Sequence, residues 1–335
     1  MLYTKIFNLY LNFKRKNSKE FPAVIVSIGN ITAGGAGKTP FVIELCILLQ
    51  NSGYRCAVVS RGYKGKYKDE YQFVSKNGRI ILSPAEAGDE PVLIARKTGA
   101  PVVVARKRSR GITALLNQFP LTDVVLLDDA FSHIQVKRDV DILLIDSWRN
   151  LRKEKPLPFG VLREPLENIK RADLFFANMK GKFFTENKIF LKSLGIDKIY
   201  TFSYLPLKFI NLRGEEIKAE VLKKLKVIAM AGIAHPGSFF KLLDEMKTKP
   251  LLKIPLPDHF SYPWLVRKIL QIIISQNFYL LVTEKDAVKL DYLLPEEVKD
   301  RIIYTSTSLE IQEEGKKELL KSIARAKESK RKKND

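Results

Sequence analysis

Apolar, β-rich runs alternate with amphipathic stretches through the first half of this chain. "AVIVSI" leads into a glycine-rich stretch and then "PFVIELCILLQNSG", a helical pattern that stops at Gly53. "RCAVVS", "APVVVA", "DVVLLDD", "DVDILLID" and "ADLFFAN" follow as further strand-like runs. Continuous apolar strands separated by helices predict a mostly parallel sheet covered on both faces. Ligands of such sheets bind at the carboxyl ends of the strands. Around "DKIYTFSYLPLKFINLRGEE" the alternation gives way to two extended segments split by Leu205 and Pro206, which reads as a hairpin-like linker. A second strand–loop–helix series follows. The expected organisation is an amphipathic helix over 1–20, a core domain over 21–199, a two-stranded linker over 200–216 and a smaller α/β domain over 217–335 ending in a basic helix that fades into a frayed end.

The glycine-rich stretch "GNITAGGAGKTP" carries the sharpest chemistry. Thr32 to Thr39 fits the phosphate loop G-x-x-x-x-G-K-[ST], except that Thr32 stands at its first position. Gly34, Gly35 and Gly37 let the backbone curl so that the N–H groups of Thr32, Ala33, Gly34, Gly35, Ala36 and Gly37 face phosphate oxygens. Lys38 would reach the terminal phosphates, and the Thr39 hydroxyl would ligate Mg²⁺. Pro40 stands just inside the helix start, where its missing N–H costs nothing. A strand before and a helix after complete the context for a nucleoside triphosphate site.

Other polar clusters fall at strand ends. Asp128 and Asp129 close an apolar strand in "DVVLLDDAFSH", as the usual second anchor of the metal, either one acting directly or through water. His133 would touch the nucleotide or cap a turn. Asp89 and Glu90 open a helix in "AGDEP", where a carboxylate pair serves either capping or chemistry. Arg61 ends one strand, and Arg106, Arg108 and Arg110 follow another along the same edge. "PFGVLREP" presents Arg163 and Glu164 from a proline-bracketed loop, and "PLPDHFSYP" places Asp258 beside His259. The three histidines, His133, His235 and His259, lack the spacing of a metal site.

Charge narrows the partners. The formal net charge of +21 favours anionic ones: nucleic acid, anionic lipid or a phosphorylated substrate. Single-strand-binding motifs that mix aromatic and basic residues are missing, which weighs against nucleic acid. Two cysteines, Cys46 and Cys56, fit neither a disulfide framework nor a zinc site and read as buried hydrophobes. No run reaches the roughly 20 apolar residues of a membrane span. Leu2, Ile6, Leu9 and Phe13 recur at helical spacing before Lys14, Arg15 and Lys16, the pattern of an interfacial helix on anionic lipid or of one packed on its own domain.

Taken in order, "SIGNITAGGAGKTP", "VVSRGYKGK", "AGDEP", "PVVVARKR", "LLDDAFSH", "PFGVLREP", "AGIAHPGSFF", "PDHFSY" and "LVTEKDAVKL" resemble the tetraacyldisaccharide 4′-kinase family. The set spans residues 27 to 290, and Thr at the loop's first position looks like the family's own form. The resemblance implies a P-loop kinase core, with ATP and Mg²⁺ serving transfer of the γ-phosphoryl to the 4′-hydroxyl of an anionic, tetraacylated glucosamine disaccharide 1-phosphate. It further implies a protein peripheral on the cytoplasmic face of the bacterial inner membrane and in contact with its surface lipids, and a monomer is expected. Asp89 would act with His259 as catalytic groups, alongside Lys38 and Arg163. Departures are Ala130 and Ser132 within the D-D-G-x-Q-H pattern, His235 where arginine is commoner, and Phe260 where a second histidine is common. The rival class is a P-loop GTPase, ATPase switch or metallochaperone. It wants an N-K-x-D motif that "NMKG" and "TEKD" only approach.

Overall fold

A computed structural model describes residues 18–34, 36–205, 208–233 and 236–334. The amphipathic segment expected over 2–16, Gly35 and His235 lie outside the described residues. In chain order the first series is β1 (Val24–Gly29), α1 (Lys38–Asn51), β2 (Cys56–Ser60), β3 (Tyr71–Lys76), β4 (Arg79–Ile80), α2 (Pro84–Ala87), α3 (Asp89–Thr98), β5 (Val102–Ala105), α4 (Arg108–Gln118), β6 (Val124–Leu127), β7 (Val140–Ile145), β8 (Leu174–Asn178), α5 (Phe184–Ser193) and β9 (Tyr200–Tyr204). The second is β10 (Lys208–Asn211), β11 (Glu216–Ile217), α6 (Ala219–Leu222), β12 (Val227–Ala231), α7 (Pro236–Glu245), β13 (Leu252–Pro255), α8 (Val266–Gln276), β14 (Tyr279–Thr283), α9 (Glu284–Leu293) and β15 (Ile302–Ser306). The chain closes with β16 (Leu309–Ile311) and α10 (Glu313–Asn334).

The large sheet runs β16-β9-β8-β7-β1-β6-β2-β5-β3-β4, parallel from β9 through β5 and antiparallel only at its edges. Every residue of β1, β2, β5, β6 and β7 is buried, which accounts for their largely apolar sequences, with Ser27, Ser60 and Asp141 the polar exceptions. Successive strands are laid down on opposite sides of β1, so the strand order reverses beside it. That is where such folds bind ligands, and it is where the glycine loop emerges. The smaller sheet, β11-β10-β15-β14-β12-β13, is parallel from β15 to β13. Cys46 and Cys56 are both buried and free.

Two expectations need correction. The extended segments of the linker do not pair with each other: β9 adds to the large sheet and β10 to the small one. Each backbone finds its hydrogen bonds in a different sheet, so the linker is a handover, not a hairpin. The basic tail does not fray either. β16 returns to pair with β9, and α10 buries Leu319 and Ile323, one turn apart, in the core of the large sheet. Lys327 and Lys330 tie the helix to Asp123 at 2.8 Å and Asp139 at 3.0 Å.

Candidate active site

The glycine loop is braced from two sides. Ala33 N–H donates to the Val161 carbonyl at 2.7 Å, and Arg163 N–H donates to the Ile31 carbonyl at 2.8 Å. The "PFGVLREP" loop therefore lies directly along the phosphate loop. Thr32, buried, accepts a hydrogen bond from the Asn30 side-chain amide at 3.0 Å. Asn30 in turn accepts from Lys38 Nζ at 3.0 Å. The unusual threonine is thus a fixed acceptor that orients the amide holding Lys38. Lys38 also donates to the Gly34 carbonyl at 3.2 Å and lies 3.7 Å from Asp129 Oδ1.

Asp128 and Asp129 face different partners. Asp129 has a left-handed backbone (φ 46°), and both its oxygens accept from Arg163 Nη1, at 2.8 and 2.9 Å. Burial pushes its carboxyl up, but Lys38 and Arg163 outweigh this and hold it below the usual range. Asp128 is buried, and its Oδ2 accepts from Ser60 at 3.1 Å. Burial, then Glu90 and Asp129, push its carboxyl up to about 7 against Lys38 and Arg108. Its Oδ1 is buried without a hydrogen-bond partner. An orphaned carboxylate oxygen beside a second acid is a donor set suited to a hard divalent cation. At Gly34 (φ 118°) an added Cβ would meet nothing within 4 Å, leaving the loop backbone approachable by a phosphate. The residues present therefore fit both groups.

The expected row of arginines separates. Arg108 is buried and donates to the Asp128 carbonyl at 3.1 Å, while Arg106 stands over the Tyr67 ring and Arg110 pairs with Glu70 at the surface. Arg163 and Glu164 separate as well. Glu164 turns fully inward to Arg171 (2.7 Å), Asn168 (3.1 Å) and Ser132 (2.8 Å), so it clamps the loop. His133 is pushed down to about 4, by burial first and then by Arg108 and Arg61, which keeps its imidazole neutral.

The second sheet delivers its own groups to this edge. His259 has φ 57°, a strained value for a residue with a Cβ, and its N–H donates to the Gly232 carbonyl at 3.2 Å. The turn this makes aims the ring at the start of α3, where Nδ1 lies 3.1 Å from Asp89 Oδ2. Tyr63 packs edge-on against the imidazole with ring centroids 5.5 Å apart, and Lys64 Nζ reaches the Asp258 carbonyl at 3.4 Å. Asp89 is buried. Burial alone would raise its carboxyl, but the His259 hydrogen bond, then Lys289, His259's charge and Lys285, hold it below its usual range. Two groups here went unread in the sequence. Lys289 Nζ is 3.5 Å from Asp89, and Lys285 pairs with Glu90 at 2.6 Å. The signal for both was "TEKDAVKL", where Lys285 and Lys289 are one helical turn apart.

A family model described as Tetraacyldisaccharide-1-P 4′-kinase matches residues 1–325. The chain is similar to a crystal structure of LpxK from Aquifex aeolicus in complex with ATP, at 31% identity and a TM-score of 0.79, over 97% of this chain and 96% of that one. A signal recognition particle receptor FtsY from Elizabethkingia anophelis in complex with GDP matches at 10% identity and a TM-score of 0.22, over 94% of this chain and 69% of that one. That second likeness carries no argument.

Proposed function

The chain belongs to the tetraacyldisaccharide-1-P 4′-kinase family, and from that premise we infer that Asp89 and His259 together form the base that receives the acceptor hydroxyl. The protein is an ATP-dependent kinase of lipid A biosynthesis that phosphorylates the 4′-hydroxyl of a tetraacylated disaccharide 1-phosphate. The switch-protein reading is not favoured. The observation that supports our assignment is the 3.1 Å contact between Asp89 Oδ2 and His259 Nδ1, made between the two sheets at the edge where the phosphate loop opens.

Each residue then has a separable task. The backbone of 32–37 cradles phosphate oxygens, and Lys38, steered by Asn30, meets the terminal ones. Thr39, Asp128 and Asp129 would hold Mg²⁺, which when bound offsets charge on the transferring phosphoryl. Arg163 fixes Asp129 and adds a positive charge nearby. His259, as the Nδ1–H tautomer, donates to Asp89 Oδ2 and leaves Oδ1 for the incoming hydroxyl. Asp89 is ionised at neutral pH and therefore a weak base. Phosphoryl transfer passes through a loose transition state, so the proton leaves late and orientation of the hydroxyl counts for more than basicity.

We further propose that the protein works as a monomer against the cytoplasmic face of the inner membrane. The net charge of +21 supports this, since the substrate is an anionic lipid. No helix of the described residues is long and apolar enough to cross a membrane.

The test follows label from γ-labelled ATP onto the tetraacyl disaccharide 1-phosphate in detergent micelles. Asp89→Asn should lose transfer by about 10²- to 10⁴-fold while binding ATP as before. Undiminished transfer would reduce Asp89 to a helix cap.

A further inference from the structure

Helices α3 and α9 belong to different sheets and meet through four ion pairs. Asp89 faces Lys289 at 3.5 Å, Glu90 faces Lys285 at 2.6 Å, Arg96 faces Asp291 at 2.6 Å and Lys97 faces Glu284 at 2.6 Å. Three of these pairs have partly exposed side chains. The Lys289 pair does not: Lys289 is 8% exposed, Asp89 7% and Asp286 0%.

Lys289 has three oxygens around it, one a hydrogen-bond acceptor (the Phe260 carbonyl) and two that belong to carboxylates it pairs with by charge. Asp286 Oδ1 lies at 3.1 Å, the Phe260 carbonyl at 3.2 Å and Asp89 Oδ2 at 3.5 Å. Asp286 Oδ2 accepts from Gly232 N–H at 2.9 Å, and the Gly232 carbonyl accepts from His259 N–H at 3.2 Å. One ammonium therefore joins the carboxylate from the large sheet to both backbone supports of the histidine from the small one. A lysine can do this because its three donors rotate about a single point charge.

We infer that Lys289 is the positioning residue that holds Asp89 against His259 and so makes the base dependent on apposition of the two sheets. This rests on reading Asp89 and His259 as the base, and it adds what keeps them together. Two buried carboxylates, Asp89 and Asp286, share this one close cation. Without it, Asp89 would keep only His259 and Lys285 as favourable partners, and the cheapest remedy for the lost charge is to take up a proton. The other charged or titratable groups around Asp89 are Glu90 on α3, Lys285 on α9, Asp258 and Tyr262 on the His259 loop, and Tyr63 opposite.

The experiment measures phosphoryl transfer against pH. Lys289→Met alone strands two anions and risks the fold, so it is paired with Lys289→Met/Asp286→Asn, which removes one charge of each sign. Lys289→Arg serves as the rescue. The expected result is a kcat lower by on the order of tenfold or more, with KM for ATP little changed. The acid limb of the profile should move to higher pH in the Met variants, and Lys289→Arg should recover most of kcat. A merely structural lysine would lower amplitude at every pH and leave the limb in place. Wild-type kcat with an unmoved limb in Lys289→Met/Asp286→Asn, or an Arg variant no better than Met, overturns the inference. If Asp89→Asn abolishes transfer while the Met variants stay normal, only the role of Lys289 fails. If Asp89→Asn transfers normally, the base assignment itself fails and takes this inference with it.

Discussion

Thr32 Oγ1 accepts a 3.0 Å hydrogen bond from Asn30 Nδ2, and both residues are buried. This makes the one departure from the phosphate-loop pattern a structural part of it, since the same Asn30 side chain accepts from Lys38. Thr32→Val keeps the shape and deletes the acceptor, leaving a buried amide donor unpaired at a cost of about 1–3 kcal/mol. The expected outcome is a lower unfolding midpoint and weaker ATP binding, with Thr32→Ser close to wild type. Calorimetry on the two variants checks it, and equal binding by Thr32→Val would remove Thr32 from the chain of contacts.

Arg163 and Glu164 are adjacent and should fail in opposite ways. Glu164→Gln weakens the ion pair between the fully buried Glu164 and a partly buried Arg171, and breaking a buried pair costs up to about 3–5 kcal/mol. Arg163→Ala releases Asp129 from a partly exposed contact. Urea unfolding should therefore single out Glu164→Gln. Turnover per folded molecule should single out Arg163→Ala.

Asp128 gives the pH dependence its sign. Its carboxyl is raised to about 7 in the folded protein, against about 3.9 in an unfolded chain. Between those values the folded state binds the extra proton. The contribution to stability is therefore complete below about pH 4 and is lost as pH rises through about 7. Unfolding free energy of the nucleotide-free protein in chelator should show this loss, and Asp128→Asn should flatten it. Mg²⁺ with nucleotide should reduce it too, because a cation favours the ionised carboxylate. A loss of equal size in Asp128→Asn would assign the titration elsewhere.

What the sequence made legible follows from the range of each interaction. The phosphate loop and the Asp128–Asp129 strand end are local patterns, and largely apolar runs announced the central strands of the parallel sheet. Pairing across long separations was not readable. Nothing local marks Asn30, whose partners are Lys38 and Thr32, or Lys289, whose partners come from two different sheets. The handover from β9 to β10 escaped because two adjacent extended segments carry no mark of which sheet will take them. A basic helix was legible at the C-terminus, but its return with β16 to the large sheet escaped for a related reason. Leu319 and Ile323 are two apolar residues in a long basic stretch, and their partners lie hundreds of residues upstream.

The central claim is that Asp89 and His259 act as one unit, although 170 residues separate them and they are delivered by elements of different sheets. A double-mutant cycle on single-turnover phosphoryl transfer tests it most directly, using Asp89→Asn, His259→Gln and the two combined. Residues that work together lose their function once, so the double variant should be no slower than the worse single, each single falling by about 10²-fold or more. Losses that multiply would show two independent contributions, and a fully active His259→Gln would mean that the imidazole only fills the turn.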